Sequence, residues 1–141
     1  MKLLMLTCAD SVVIDLHTNR ASLFNLLDEI QSPVFPAILY SVSVFTLVTR
    51  DAGEADPQAT LRVTLNERTL LDAPMPIVFQ DLLRLRGNLT IQGLVIAAPG
   101  TLRFEVRFGD ALAGTWLVPV INVGQAQVAA APQVEAPPAQ D

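Results

Sequence analysis

The residues able to do chemistry are few and scattered. A nucleophile needs a neighbouring base and usually a group that orients that base. The sequence offers one histidine, His17, and one cysteine, Cys8. His17 falls in Asp15-Leu16-His17-Thr18-Asn19-Arg20, which reads as an exposed hairpin turn, and Cys8 in an apolar stretch that reads as a buried strand. A metal would need clustered His, Cys, Asp or Glu donors. The nearest approach is the loop from Asp51 to Asp56, whose three carboxylates could hold calcium weakly but read first as a solvated acidic surface. Asp10 and Asp28 could meet across a first hairpin as the carboxylate pair that glycosidases require. Gly-x-Ser-x-Gly, Walker A and Gly-x-Gly-x-x-Gly patterns are absent. The sequence therefore assigns no catalytic, metal or cofactor-binding residue and implies no cofactor, and the chain reads as a non-enzyme.

Two sets of side chains have the chemistry of binding. Trp116, Phe104 and Phe108 would make an aromatic platform for sugar or peptide, yet the alternation around them turns all three inward. Arg84 and Arg86 flank Leu85, and Arg103 and Arg107 point outward from one strand. Together they would form a small basic patch for a carboxylate-bearing partner, the plainer reading being a solvated face.

The elements that position these groups are strands. From Thr101 to Phe108, Leu102, Phe104, Val106 and Phe108 alternate with Arg103, Glu105 and Arg107, which predicts a half-buried strand with its charges in solvent. Pro99-Gly100 before it and Gly109-Asp110 after it are turn signals, and the run from Leu112 to Val120 completes a hairpin. Pro119 lacks a backbone donor, so that strand should lie at an edge or be ending there. Thr60–Glu67 alternates as cleanly, and Gly87–Ala98 does so until Gly93, where a bulge or bend is expected. Ala37–Arg50 is long and β-branched. Met75–Phe79 is a short edge-type strand at best, and Gln80–Arg86 reads as one helical turn. Ala21–Ile30 fits either a helical stripe or a strand; Asp28 and Glu29 at the negative end of such a helix favour the strand. The opening Met1-Lys2-Leu3-Leu4-Met5-Leu6 is too short for a signal core and is followed by Asp10 and Asp15, so it reads as a first strand.

These strands and turns describe one all-β domain over residues 1–121, an immunoglobulin-like antiparallel sandwich of about seven or eight strands. Residues 122–141 change to Ala, Pro and Gln and form an expected disordered tail. The Cys…Trp…Cys signature of antibody domains is missing. The succession Leu6-Thr7-Cys8-Ala9-Asp10, Ser22-Leu23-Phe24 with Asp28-Glu29-Ile30, Phe35-Pro36-Ala37 and the Pro99-Gly100 turn resembles a group of small uncharacterised bacterial proteins. They are classed as a domain of unknown function with an expected immunoglobulin-like sandwich. The resemblance covers Leu3 to Val120 and implies the fold but no activity.

Composition narrows the partners. The 141 residues are 51% hydrophobic and 16% charged, with nine basic residues and a net charge of −5. Such sparse positive charge argues against nucleic acid and against anionic membranes. No run of 18 apolar residues crosses a bilayer as a helix. One cysteine excludes an internal disulfide and fits the cytoplasm. Hydrophobicity beyond the needs of one small core points to a binding or assembly domain, a homodimer or a complex with a protein partner. Its interface would use the Ala37–Arg50 strand, uncharged from Ala37 to Thr49. The alternative is a sandwich binding a small ligand or carbohydrate.

Overall fold

A computed structural model describes residues 1–124 of the chain, and the expected tail from residue 125 onward lies outside the described residues. Nine strands form: β1 (Lys2–Ile14), β2 (Ala21–Leu26), β3 (Ile30–Ser32), β4 (Ala37–Thr49), β5 (Ala59–Leu65), β6 (Arg68–Pro74), β7 (Arg84–Ile96), β8 (Gly100–Phe108) and β9 (Ala111–Asn122). They make two sheets, ordered β2-β1-β4-β7 and β3-β9-β8-β5-β6. All neighbours are antiparallel except β3, which runs parallel to β9 over Ile30–Ser32. The chain is thus an all-β sandwich, with β3 crossing from the neighbourhood of one sheet to the edge of the other.

The period-two pattern decides the core. Leu61, Val63 and Leu65 on β5, Leu102, Phe104 and Val106 on β8 and Val118 and Val120 on β9 are buried. They belong to one apolar cluster with Val42, Val44 and Val48 of β4, Ile91, Leu94 and Ile96 of β7, and Cys8 of β1. Met75, Ile77 and Phe79 join it from an extended segment that forms no strand; Met75 N–H donates to the Ala59 carbonyl at 2.9 Å. That segment, read from sequence as an edge strand at best, closes the core with alternate side chains. The helical turn expected over Gln80–Arg86 is a non-helical turn followed by the start of β7.

Gly93 adopts φ 71°, and the phase of β7 changes there. Below it Ile91 is buried; beyond it Leu94 and Ile96 are, a shift of one residue in the pattern. A second irregularity lies between Val106 and Arg107 of β8, where Arg107 pairs with Leu112 and Val106 with Gly114. The extra residue turns Leu112, expected inward, to 51% exposure. As far as Pro119, β9 is flanked on one side only by β8; β3 takes over at Val120. Its position therefore agrees with a strand that tolerates a missing donor.

β4 overturns the expected interface strand. It pairs with β1 along one side and β7 along the other, so its amides and carbonyls in the sheet are taken. Val42 through Thr46 are all buried, which means that both faces of the strand are covered. On the outer side Phe45 lies in a cleft shared with Ala21 and Leu23 of β2. The hairpin turn is fastened there by Arg86, whose guanidinium donates to the Asn19 carbonyl and to Asn19 Oδ1 at 3.2 Å. Among the described residues no helix is long and apolar enough to cross a membrane.

Candidate functional site

Each reactive candidate has a structural task. His17 is exposed in the turn, where the Asp15 carboxylate accepts from His17 N–H at 2.8 Å and Thr18 N–H at 2.9 Å. Cys8 is fully buried, and burial pushes its thiol well above the ordinary range, so it is not poised as a nucleophile. Asp10 accepts from Asn25 Nδ2 at 3.0 Å, and both Asp10 and Asp28 are exposed. Among the described residues no group of three His, Cys, Asp or Glu is placed to hold a metal.

The acidic loop is exposed at Asp51 and Asp56, as read, and its carboxylates also clasp neighbouring segments. Glu54 binds the Met1 ammonium at 2.7 Å and accepts from Asp51 N–H at 2.7 Å. Asp56 accepts from Arg50 at 3.2 Å and from Phe79 N–H at 3.1 Å. Trp116 is half-buried, and its indole N–H donates to the Leu27 carbonyl at 2.7 Å, tying β9 to the β2–β3 connection. With Phe104 fully buried, the three aromatics form no exposed platform.

The four arginines singled out in the sequence separate. Arg103 and Arg107 lie on the outer face of the five-stranded sheet, where Glu105 is 8% exposed instead of solvated. Its two carboxylate oxygens accept from Arg103 at 3.2 Å and Arg107 at 3.3 Å. Alternation correctly turned Glu105 away from the core; the flanking guanidinium groups then cover it. Beside them Arg62 donates twice to Asp72 Oδ2, at 3.1 and 2.7 Å. The depression on this face, about 690 Å³, is polar and largely self-neutralised. Arg84 and Arg86 sit on the other sheet, where Arg20 joins them at a second cleft. The sequence does not single out Arg20, because more than sixty positions separate it from Arg84 and Arg86.

The least guarded feature is the edge of β7. This strand of 13 residues pairs with β4 on one side, and among the described residues no backbone hydrogen bond reaches its other side. From Gly87 to Ile96 it contains neither charge nor proline. Other edges are defended: β6 carries Arg68, Asp72 and Pro74, β3 has three residues, and β2 is short with Asn25 at φ 53°. Exposed apolar residues flank both ends of β7, with Leu82 and Leu83 before it and Val95, Ile38 and Tyr40 around its end.

No curated protein matches the sequence. A family model covers residues 4–121, a span reaching from β1 into β9 and so embracing both sheets. On that match the chain belongs to DUF6941, a family of unknown function.

Proposed function

We propose that the chain is a non-enzymatic binding and assembly domain that associates with a second copy of itself through the free edge of β7. The observation that carries this reading is the length of that edge and its lack of charge and proline from Gly87 to Ile96, a stretch bent at Gly93. A row of unpaired amide and carbonyl groups is a template for another strand, and a sheet that does not block it invites pairing. Antiparallel pairing about a two-fold axis suits the sequence of the strand. It directs Leu82 and Leu83 of one copy toward Val95 of the other, and it keeps Arg84 and Arg86 away from their own counterparts. An immunoglobulin-like topology is supported by the strand order: β4 and β7 take the places of strands B and E, and β5, β8 and β9 those of C, F and G. A single buried cysteine supports a cytoplasmic setting, in keeping with the resemblance to bacterial proteins. The carbohydrate-binding alternative is weakened by Trp116, whose ring is half-buried and whose N–H is already bonded.

Light scattering coupled to size exclusion at micromolar concentration tests the proposal. The expected mass is twice the 15.2 kDa of the chain. Asn88→Lys with Gln92→Lys, both at exposed positions of β7, should yield a monomer of unchanged melting midpoint. A monomeric unmodified protein, or a dimer indifferent to the two lysines, would overturn it.

A further inference from the structure

The arginines of this acidic chain fall into two populations. Arg50, Arg62, Arg103 and Arg107 are ion-paired with carboxylates. Arg20, Arg68, Arg84 and Arg86 have no such partner among the described residues, and three of these four line one cleft. No Asp or Glu lines it. The floor is apolar, made by Phe45, Leu47 and Leu23, and the volume is about 800 Å³, within the range of small-molecule sites (roughly 300–1,000 Å³).

We infer that this cleft binds a small carboxylate carrying an apolar body, its head held by Arg20 and Arg84 and its body laid over Phe45 and Leu47. Three cations without a counter-ion repel one another and make the cleft locally positive on a chain of net charge −5. An incoming carboxylate supplies the missing charge, and the guanidinium fork matches its two oxygens. Arg86 is already fixed by its two bonds to Asn19, so it stiffens the wall without a large loss of side-chain freedom on binding. The guanidinium groups of Arg20 and Arg84 make no hydrogen bond or ion pair among the described residues and keep their donors for a ligand. The apolar floor separates this from a site for a bare inorganic anion, because its burial rewards a hydrocarbon body at about 25 cal/mol per Å² covered. The cleft opens on the outer face of the sheet but shares Arg84 and Arg86 with the start of β7 and Leu82 with the segment before it, so the titration is read together with the mass of the protein at each ligand concentration.

Calorimetric titration of the full chain with octanoate, octanol and acetate tests it. Octanoate is expected to bind saturably at one site per chain, with octanol and acetate each at least ten-fold weaker. Arg20→Gln with Arg84→Gln should weaken octanoate at least ten-fold while the melting midpoint of the free protein holds. Arg86 is left intact because it fastens the hairpin. Octanol equal to octanoate, binding unchanged in the double variant, or no saturable binding of octanoate would overturn the inference.

Discussion

The guanidinium of Arg50 lies 4.7 Å over the ring of Phe79 and, from that position, holds together three segments. It donates to the carbonyls of Glu54 at 2.9 Å, Leu82 at 3.1 Å and Gln80, and to the Asp56 carboxylate. Phe79 is fully buried at the end of the core, so the stack seals that end of the sandwich with a charged group whose donors are all directed outward along its plane. The acidic loop and the 75–83 segment, neither of them regular structure, are joined to each other and to the end of β4 by this one side chain.

Arg50→Lys should therefore be costly although it preserves charge. An ammonium lacks the planar fork and carries three donors on a single nitrogen, too few and too close together to replace the four bonds that three guanidinium nitrogens make. Bonds to charged donors contribute roughly 1.5–3 kcal/mol each and are not additive, so a loss of about 2 kcal/mol or more is expected. Urea denaturation measures it. A change under about 0.5 kcal/mol would mean that the loops hold themselves.

Gly100 and Asn66 predict a second sensitive point. Asn66 Oδ1 accepts from Thr101 N–H and its Nδ2 donates to the Pro99 carbonyl, both at 3.0 Å, so the side chain wraps the turn. A Cβ at Gly100 would stand 1.8 Å from Asn66 Oδ1, and the residue has φ 146°. Gly100→Ala should cost about 2 kcal/mol or more, combining backbone strain with the displaced amide. Asn66→Ala, which opens the space, should cost about 1 kcal/mol. In the double variant the penalty of the alanine should shrink, as a double-mutant cycle would register.

How far the sequence announces this molecule depends on whether a signal is local. The alternation of β5 and β8 and the break at Gly93 are written in neighbouring residues and appear in the fold as read; of the strand read over Ala21–Ile30, β2 takes Ala21–Leu26 and β3 begins at Ile30. The interior position of β4 is not local: its alternating Val and Ser suit a half-exposed strand, yet Ser43 meets Thr90 of β7 and Phe45 shares a cleft with Ala21 and Leu23 of β2, contacts that only the fold brings about. Glu105 looks like any solvated strand carboxylate until two arginines at i±2 fold onto it. The cleft needs Arg20 from the β1–β2 turn and Arg84 from β7, which pairs with neither β1 nor β2, so no spacing rule unites them. Charge balance, more than pattern, would have hinted at it, since the basic residues outnumber the carboxylates near 84–86.

A pH effect is expected at the β1–β2 turn. Backbone hydrogen bonds from Thr18 and then His17 hold the exposed Asp15 carboxyl below its ordinary value of 3.8. A depressed folded-state pKa means that the turn is favoured above the unfolded value and loses this contribution as pH falls through the folded one. Amide exchange at His17 and Thr18, corrected for intrinsic rates, should accelerate as the solution is acidified below about pH 4. Asp15→Asn should remove that dependence. A flat profile in the unmodified protein would show that the carboxylate does not govern the turn.

The last prediction sets Phe104 against Glu105, adjacent residues on β8 that are both nearly inaccessible for different reasons. Phe104 is fully buried among apolar neighbours, and Phe104→Ala should cost about 3–5 kcal/mol through lost transfer energy and the cavity left behind. Glu105 is covered by arginines that remain partly in solvent, with side-chain exposures of 49% for Arg103 and 32% for Arg107. Solvent screening moderates their attraction, but Glu105→Gln leaves two cations on one strand without their shared counter-charge. A loss of roughly 1–2 kcal/mol follows, more than for an ordinary exposed strand carboxylate. Salt separates the two mechanisms. Denaturation in 1 M sodium chloride, where the Debye length is about 3 Å, should shrink the Glu105→Gln penalty and leave that of Phe104→Ala in place. Equal salt responses would refute the electrostatic role of Glu105, and a silent Glu105→Gln would return it to the solvated face that the sequence pattern describes.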